Sequence, residues 1–382
     1  MLFKRRLEAH LIEKIHNSNK VIILYGARQV GKTTMINNIL RKLDLKICTV
    51  NGDERQYVDI LSSRELHKLK LLTHGYDLLF IDEAQRIPDI GINLKILHDH
   101  FPKLKIVVTG SSSFNLAGKI NEPLTGRTWT YQLFPFSINE VKDFQSLLEI
   151  QKKIEEYLIF GLYPEILHYN SLQEKERYLN ELATSYLYKD ILELSHIKHS
   201  DKLHNLLRLL AFQIGSEVSY HELGQNLSLS KETIASYIDL LEKSFVIFKL
   251  QAFSRNLKKE ITKMHKIYFW DTGIRNILIK NMNFLSQRDD IGKLWENFLI
   301  AERMKFNNNR LFLVNSFFWR VYTGAELDYI EEKNNELFGY EIKYKNKRHV
   351  IPRTWISTYK NANYNLINKE NFFDFITDTN IK

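Results

Sequence analysis

Cysteine is almost absent from this sequence of 382 residues: Cys48 is the single one, and it has no partner for an internal disulfide. Disulfides belong to oxidising compartments, so a chain with one thiol suits a reducing cytoplasm. Long apolar runs are missing too, and a membrane-spanning helix needs roughly 20 such residues. The opening segment MLFKRRLEAHLIEK carries charges among its apolar positions, unlike a signal peptide. These absences predict a cytoplasmic protein without a membrane contact.

No low-complexity linker and no internal repeat interrupt the sequence. Its length allows two or three domains, and a hydrophobic content of 44% can supply their cores. Lys and Arg number 54 against 45 Asp and Glu, which gives a net charge of +9. An excess of this sign favours polyanionic partners such as nucleic acid, although it also occurs on surfaces that only keep a protein soluble.

A glycine-rich loop stands between an apolar run, residues 21–24, and a stretch with helical spacing. The loop GARQVGKTT fits the pattern G-x-x-x-x-G-K-[ST]. In such a loop the backbone N–H groups and the helix N-terminus attract phosphates. The lysine reaches the β- and γ-phosphates, and the hydroxyl that follows it ligates Mg²⁺. We therefore predict an ATP and Mg²⁺ site formed by Gly26, Ala27, Arg28, Gln29, Val30, Gly31, Lys32, Thr33 and Thr34.

Two adjacent carboxylates end the apolar run LLFIDE. A buried central strand of a parallel sheet has this composition, with its chemistry at the carboxyl end. There Asp82 would hold Mg²⁺ through water, and Glu83 would polarise the water that attacks the phosphate. The sequence thus predicts both parts of a nucleotide hydrolysis site.

A further apolar strand, residues 105–109, leads into the sequence GSSS. A polar side chain at this strand end, which we assign to Ser111, could contact the γ-phosphate and sense its presence. The alternative is that these serines cap the next helix, since serine is a favoured N-cap. The two roles are compatible.

Taken together, the motifs resemble those of prokaryotic AAA-type ATP-binding proteins with a C-terminal domain of unknown function. They are GARQVGKTT, LLFIDEAQRIP, TGSSS, LTGR with FPFSINE, FGLYPE, and ELDYI with YEIK, and they cover nearly the whole chain. The resemblance implies an α/β fold with a parallel-sheet P-loop ATPase core at 1–136 and a helical lid at 137–199. It also implies a winged helix at 200–285 and a restriction-endonuclease-like α/β domain at 286–382.

Arg127 occupies the family's Gly-Arg position, at the entry of a predicted strand over residues 128–133. ATPases of the AAA class place an arginine finger there. A guanidinium aimed at a neighbour's γ-phosphate stabilises transition-state charge and makes hydrolysis depend on a homo-oligomer. A surface arginine or an intradomain salt bridge is the alternative. The lid segment FGLYPE contains no arginine that could sense the nucleotide.

A helix-turn-helix pattern fills residues 201–250. Ser230 is a plausible N-cap of the second helix, which begins at Lys231, and a basic segment follows that could form a wing. That segment contains Arg255, Lys258, Lys259 and Lys263. DNA binding is one interpretation; a protein–protein spacer is the other.

The tail has the order helix, three strands, helix, strand, which is typical of nucleases with the PD-(D/E)XK arrangement. The motif residues would be Glu296 on the first helix, Asp328 on the second strand, and Glu341 with Lys343 on the third. Residues two apart on a strand face one side, so the last two converge. The carboxylates would bind Mg²⁺, and Lys343 would assist the nucleophile or offset charge. Many proteins of this fold bind nucleic acid without cutting it.

The sequence therefore predicts a cytoplasmic, homo-oligomeric, Mg²⁺-dependent ATPase. Its nucleotide state would control a tail that binds nucleic acid, most simply DNA, and that could cleave it. The alternative is an ATP-driven regulatory or sensor switch, whose winged helix and inactive nuclease-like tail bind DNA or a protein without cutting.

Overall fold

The structure is a computed structural model that describes residues 3–111, 124–187, 200–254, 265–321, 324–345 and 351–378. The chain divides into two compact units. One contains residues 1–134 with 243–245, and the other contains residues 135–242 with 246–382. The first boundary thus falls at residue 134, beside the predicted end of the ATPase core. A finer division of the second unit into lid, winged helix and tail stays a prediction.

The first unit has a five-stranded sheet in the order β2-β3-β4-β1-β5. All pairs are parallel. The strands are β1 Val21–Gly26, β2 Ile47–Asn51, β3 Leu78–Asp82, β4 Lys105–Gly110 and β5 Thr128–Leu133. β1 and β3 are buried at every position, as central strands covered on both faces should be. The α/β class predicted for this part is confirmed.

Helices surround that sheet in the first unit. They are α1 Leu7–Asn17, α2 Lys32–Leu40, α3 Arg55–Leu61, α4 Leu66–Thr73 and α5 Ile90–His100. α2 buries Met35, Ile36, Ile39 and Leu40. These apolar residues recur every three to four positions and form one face of the helix. Burial of that face holds the helix that follows the glycine loop in place.

The second unit has a seven-stranded sheet in the order β12-β11-β10-β9-β7-β8-β6. Its strands are β6 Glu217–Val218, β7 Ile247–Ala252, β8 His265–Phe269, β9 Asn315–Arg320, β10 Glu326–Lys333, β11 Glu336–Ile342 and β12 Ala362–Ile367. β7 pairs in parallel with β9, through Gln251 with Phe317 and Ala252 with Phe318. The hairpin of the predicted winged helix and the strands of the predicted tail therefore share one sheet.

The helices of the second unit are α6 Ile138–Val141, α7 Leu147–Phe160, α8 Leu172–Glu181, α9 Ser200–Phe212, α10 Tyr220–Leu227, α11 Lys231–Lys243, α12 Thr272–Leu278, α13 Ile291–Asn309, α14 Arg353–Thr358 and α15 Phe372–Ile376. A π-helical turn, Leu182–Leu187, follows α8. An aromatic core containing Trp319, Trp355 and Tyr359 packs against the tail strands. No helix in the described ranges is long and apolar enough to cross a bilayer.

The motif FGLYPE has a packing role inside the second unit. Gly161 has φ +71, and a Cβ there would lie 2.0 Å from Oδ1 of Asp271. The Asp271 carboxylate accepts hydrogen bonds from the N–H of Leu162 at 2.8 Å and of Ile274 at 3.1 Å. Burial raises the pKa of Asp271. Only glycine therefore allows the chain after α7 to approach this cap of α12.

Candidate nucleotide site and a second charged cluster

The glycine loop occupies the bend between β1 and α2. Gln29 and Gly31 have positive φ angles of 59° and 92°. β1 ends at Gly26, whose partner on β5 is Leu133. A Cβ on Gly26 would lie 2.2 Å from the Leu133 carbonyl oxygen, so only glycine fits there. Of the other predicted loop residues, Arg28 is half-buried and Thr34 is exposed.

The ammonium group of Lys32 is held inside this loop. Its Nζ donates to the carbonyl oxygens of Gly26 at 2.9 Å and Ala27 at 2.8 Å. The residue is only 6% exposed. A glycine-rich loop that holds a buried cation by its carbonyl oxygens is suited to phosphate oxygens, which can replace these oxygens around the cation.

Thr33 and Asp82 come together at the ends of α2 and β3, although they are far apart in the sequence. The Thr33 hydroxyl donates to Oδ2 of Asp82 at 2.9 Å. Oδ1 of Asp82 accepts from the Thr109 hydroxyl on β4 and from the Glu83 N–H at 3.1 Å. A hydroxyl and a carboxylate this close are oxygen ligands that one Mg²⁺ ion could share. Thr109 was not predicted, because a threonine at the end of an apolar strand carries no motif of its own.

Glu83 adopts a left-handed conformation with φ 49°, which costs a non-glycine residue about 1 kcal/mol or more and is common at active sites. Its carboxylate accepts a hydrogen bond from Nε2 of Gln85. Oε1 of Gln85 in turn accepts from the N–H of Ser111 at 3.2 Å. The predicted water-activating carboxylate and the predicted sensor position are thus joined by Gln85, a residue the sequence analysis did not single out. Ser112 and Ser113 lie outside the described residues.

Arg127 lies at the opposite edge of the same sheet. It directly precedes Thr128, which pairs with Val21 at the start of β1, whereas the glycine loop begins at the other end. Six residues of strand span roughly 20 Å, so this guanidinium cannot reach a nucleotide held by its own loop. Arg127 instead forms an ion pair with Asp99 at 2.9 and 3.3 Å. The intradomain salt bridge is therefore present, and action on a neighbour stays a prediction.

In the second unit, Asp328 and Glu341 share one lysine. Nζ of Lys343 lies 2.5 Å from the Glu341 carboxylate and 3.8 Å from that of Asp328. Asp328 also accepts a hydrogen bond from the Ile342 N–H at 2.8 Å. Three of the four predicted tail residues thus come together: Asp328 on β10, Glu341 on β11 and Lys343, which lies directly after β11 and not on it as predicted.

Glu296, the fourth, lies on α13 and has different partners. Its carboxylate accepts from the Tyr268 hydroxyl at 2.6 Å and lies 3.7 Å from Nζ of Lys266. Lys266 is 3% exposed and also forms an ion pair with Glu326. Lys266 was not predicted, since it lies on β8 of the hairpin and in none of the tail motifs. We call these six charged side chains the lysine–carboxylate cluster: Lys266, Glu296, Glu326, Asp328, Glu341 and Lys343.

Burial sets the electrostatics of this cluster. Burial, reinforced by the charge of Asp328, raises the pKa of Glu296 to about 8 and that of Glu341 to about 7. Burial also raises the pKa of Asp328. Burial by itself lowers the pKa of Lys266, but the charges of the neighbouring carboxylates outweigh it and raise the pKa above its ordinary value. The two lysines therefore stay charged and balance carboxylates that are expensive to ionise.

The predicted metal ligands of the tail do not form one set of three. Asp328 and Glu341 converge on Lys343, whereas Glu296 is engaged by Lys266 and Tyr268. Across the residues with a described placement, no group of three His, Cys, Asp or Glu side chains could hold a metal ion. Two carboxylates can still ligate Mg²⁺ that keeps its waters, so a metal at Asp328 and Glu341 stays a prediction.

The predicted second helix of the helix-turn-helix is α11. Its N-cap is confirmed, since Oγ of Ser230 accepts from the Thr233 N–H at 3.1 Å. Lys231 and Glu232 are exposed in its first turn. The basic residues Arg255, Lys258, Lys259 and Lys263 lie outside the described residues.

Comparison with protein families finds three matches. Residues 18–142 match an AAA domain, residues 151–284 a domain of unknown function (DUF8612), and residues 291–375 a domain of unknown function (DUF4143). The first unit is therefore AAA-ATPase-like, in agreement with its P-loop geometry, and this similarity indicates nucleotide binding.

The chain is also similar to curated proteins without an assigned function. An uncharacterized protein of Mycobacterium tuberculosis is 27% identical over 90% of this chain and 74% of its own length. One of Methanocaldococcus jannaschii is 26% identical over 87% of this chain and 77% of its own length.

Two solved structures show weak similarity. AMPPCP-bound DnaA from Aquifex aeolicus has a TM-score of 0.28 and 16% identity, over 62% of this chain and 88% of that one. A signal-transduction ATPase of the STAND class with a tetratricopeptide sensor, from Pyrococcus horikoshii, has a TM-score of 0.30 and 13% identity, over 80% of this chain and 47% of that one.

Proposed function

We propose that this protein is a Mg²⁺-dependent ATPase that acts as a homo-oligomer and whose nucleotide state controls nucleic-acid binding by the second unit. The observation that carries the ATPase part is the joint placement of Lys32, Thr33 and Asp82 at the carboxyl edge of the sheet. A buried lysine inside the loop and a hydroxyl 2.9 Å from a carboxylate match the two needs of a bound triphosphate.

The residues would act as follows. Mg²⁺, when bound by Thr33 and Asp82, would offset negative charge on the β- and γ-phosphates. Lys32 would exchange its bonds to the loop carbonyls for phosphate oxygens. Glu83, freed from Gln85, would orient and polarise the attacking water. The side-chain bridge from Glu83 through Gln85 to Ser111 supports a sensor role for that strand end.

Nucleic-acid binding would use the winged helix predicted for residues 200–285. The order helix, short strand, two helices and hairpin supports this assignment, as does the antiparallel pairing of β6 with β8. In winged helices of this order the second of the paired helices enters the major groove, which here is α11. The net charge of +9 favours a polyanionic partner.

A second candidate function is metal-dependent cleavage by the tail. It is favoured by Lys343, which lies against both Asp328 and Glu341 as the PD-(D/E)XK arrangement requires. Its alternative is a tail that binds nucleic acid or a protein without cutting, so that the whole protein is an ATP-driven switch. Both functions would use Asp328, Glu341 and Lys343, and a DNA cleavage assay distinguishes them.

Three measurements on the purified protein test these proposals. ATP hydrolysis should require Mg²⁺ and stop with excess chelator. Affinity for duplex DNA should fall steeply with salt and change on addition of ATP. Plasmid and single-stranded DNA incubated with Mg²⁺ or Mn²⁺, with and without ATP, separate cleavage from binding. A protein that neither hydrolyses nor binds ATP would overturn the first proposal, and salt-independent DNA affinity would overturn the second.

The oligomer is tested by mixing. Arg127→Ala should bind ATP normally and hydrolyse it slowly, since a guanidinium acting in trans stabilises only the transition state. A small fraction of this variant in parent protein should depress hydrolysis more than dilution predicts. Strictly proportional loss, in a protein that sizes as a monomer with ATP, would exclude action in trans.

A further inference from the structure

Arg5 is a buried cation that precedes α1, and its guanidinium contacts the phosphate loop. The residue is 5% exposed. Its Nη1 donates to the Val30 carbonyl oxygen at 3.0 Å, and its Nη2 donates to the Phe134 carbonyl oxygen at 2.6 Å. A charge is rarely buried unless its donors are used, so these bonds define where the guanidinium is held.

The bond to Val30 fixes the orientation of a peptide inside the loop. No cis peptide occurs in the described part of the chain, and a trans peptide is planar. The carbonyl of Val30 and the N–H of Gly31 therefore point in opposite directions. Because Arg5 holds the Val30 carbonyl, the Gly31 N–H points away from the guanidinium. Gly31 has φ 92° and directly precedes Lys32, at the point where phosphate loops present their amides.

The bond to Phe134 attaches the same guanidinium to the end of β5. The preceding residue, Leu133, is the strand partner of Gly26, and its carbonyl oxygen approaches that glycine so closely that a Cβ would lie 2.2 Å away. The end of β5 therefore contacts Gly26 directly and is linked to Val30 through Arg5. Phe134 is also the last residue before the chain passes into the second unit at residue 135.

We propose that Arg5 is a positioning residue that keeps the phosphate loop in its nucleotide-binding shape and ties nucleotide occupancy to the strand end that leads into the second unit. This inference rests on the proposed function, because it supposes that the loop binds ATP. Arg5 would then link the bound nucleotide to the strand end before residue 135, so that no sensing arginine is needed in the segment FGLYPE.

The test compares Arg5→Ala with Arg41→Ala, which removes the same group from an exposed position at the end of α2. Nucleotide affinity is measured by titration with a non-hydrolysable ATP analogue, and folding by thermal unfolding. We expect Arg5→Ala to lose affinity by about tenfold or more, since two charge-assisted hydrogen bonds are lost. Free guanidinium ion at low millimolar concentration should restore part of it. Arg41→Ala should bind like the parent, with or without guanidinium.

Hydrogen exchange supplies the second measurement. In the parent, the analogue should change amide exchange in residues 135–160, and Arg5→Ala should lose this response even when saturated with nucleotide. If Arg5→Ala does not fold, Arg5→Lys keeps the charge with fewer donors, and it should show a smaller loss of affinity and of the exchange response. Parent-like affinity and exchange in a folded Arg5 variant would overturn this inference alone. A parent that binds no nucleotide would overturn the proposed function together with it.

Discussion

The nucleotide site of the first unit and the lysine–carboxylate cluster of the second are both charged sites, but they are assembled differently. Lys32, Thr33 and Asp82 come from a loop and a strand end whose positions follow from one parallel sheet. The cluster takes Lys266 from a hairpin, Glu296 from a helix and four further residues from β10, β11 and the turn after it. The first kind of site follows from a local pattern, whereas the second depends on how distant segments join into one sheet.

The two sites also differ in how their charges are compensated. In the nucleotide site, Lys32 is bonded to backbone carbonyls, and its ammonium can exchange these for phosphate oxygens. In the cluster, each lysine already lies against carboxylates, and the two at Lys266 are partly buried. The first arrangement is suited to receiving an anion. The second holds its carboxylates in ion pairs with lysines, and these ion pairs must open before it receives a cation.

The largest expected effects come from changes in the nucleotide site, and they should leave the second unit unaffected. Lys32→Ala should abolish ATP binding, since the loop loses its buried cation. Glu83→Gln should keep binding and slow hydrolysis by about 100-fold or more, because the water loses its base. Equilibrium binding of an ATP analogue and steady-state phosphate release measure the two effects.

The control for this pair is DNA binding by the same variants without nucleotide, which should equal that of the parent. Hydrolysis by Glu83→Gln at the parent rate would show that another group activates the water. Gln85 would then be the first residue to change, because it contacts the same carboxylate.

The next effect concerns the cluster as a metal site. Asp328→Asn should weaken Mn²⁺ binding by about tenfold, as a hard cation loses an anionic ligand. Lys343→Ala should keep metal binding and lose nearly all cleavage. The single changes at Asp328, Glu341 and Lys343 should not be additive, because groups that act as a unit fail together. Titration calorimetry and plasmid cleavage give the two readouts.

Asp374→Asn is the matched control, since it removes an exposed carboxylate from the same unit. It should change neither metal affinity nor cleavage. If no DNA or RNA is cut with any metal, and the cluster variants alter only nucleic-acid affinity, the tail is a binding module.

The difference between the sites also explains what the sequence could predict. The glycine loop, the strand ending in Asp82 and the order of the tail elements follow from residue spacing alone, and the structure has them in the predicted places. Glu341 and Lys343 were predicted to converge because residues two apart on a strand face the same side, and they form an ion pair at 2.5 Å. The partner of Arg127 was left open, since nothing in the spacing links it to Asp99.

Lys266 and Arg5 could not be found in this way. Lys266 joins the cluster only because β7 of the hairpin pairs with β9 of the tail, a contact between segments that the sequence analysis assigned to separate domains. Arg5 contacts Val30 and Phe134, which lie 25 and 129 residues away along the chain. Neither has a motif, and burial of a single cation is decided by tertiary packing.

A third, smaller effect tests whether Lys266 is required for the fold. Lys266→Met should lower the free energy of unfolding by about 3 kcal/mol, because it leaves Glu296 and Glu326 without their buried counter-charge. Lys249→Met, which removes a partly exposed partner of Glu242, should cost less than about 1 kcal/mol. Urea unfolding followed by tryptophan fluorescence measures both.

Neutralising the carboxylates should recover this loss. Lys266→Met combined with Glu296→Gln and Glu326→Gln removes the charges that the lysine balances, so part of the stability should return. No recovery would mean that Lys266 contributes through other contacts, such as that of its Nζ with the Phe318 ring, whose centroid is 5.3 Å away.

The smallest expected effect is at the ion pair between Arg127 and Asp99. Both side chains are about one-third exposed, at 35% and 36%, so Asp99→Asn should change the free energy of unfolding by less than about 1 kcal/mol. Hydrogen bonds from Arg127 and His98 lower the pKa of Asp99 to about 2, from an ordinary value of 3.8. The small contribution is thus present above pH 3.8 and disappears as the pH falls through 2, where parent and variant should be equally stable. Asp53→Asn, which breaks the exposed pair with Arg86, is the control.

The same variant sharpens the role of Arg127 in hydrolysis. If this arginine acts on a neighbour's nucleotide, Asp99→Asn releases the guanidinium, and hydrolysis should equal or exceed the parent rate while Arg127→Ala remains slow. If the ion pair itself matters because it shapes the entry of β5, Asp99→Asn and Arg127→Ala should slow hydrolysis to the same degree. Steady-state rates of the two variants and their double mutant distinguish the cases. In the first, the double mutant is as slow as Arg127→Ala alone and Asp99→Asn is not; in the second, all three are equally slow.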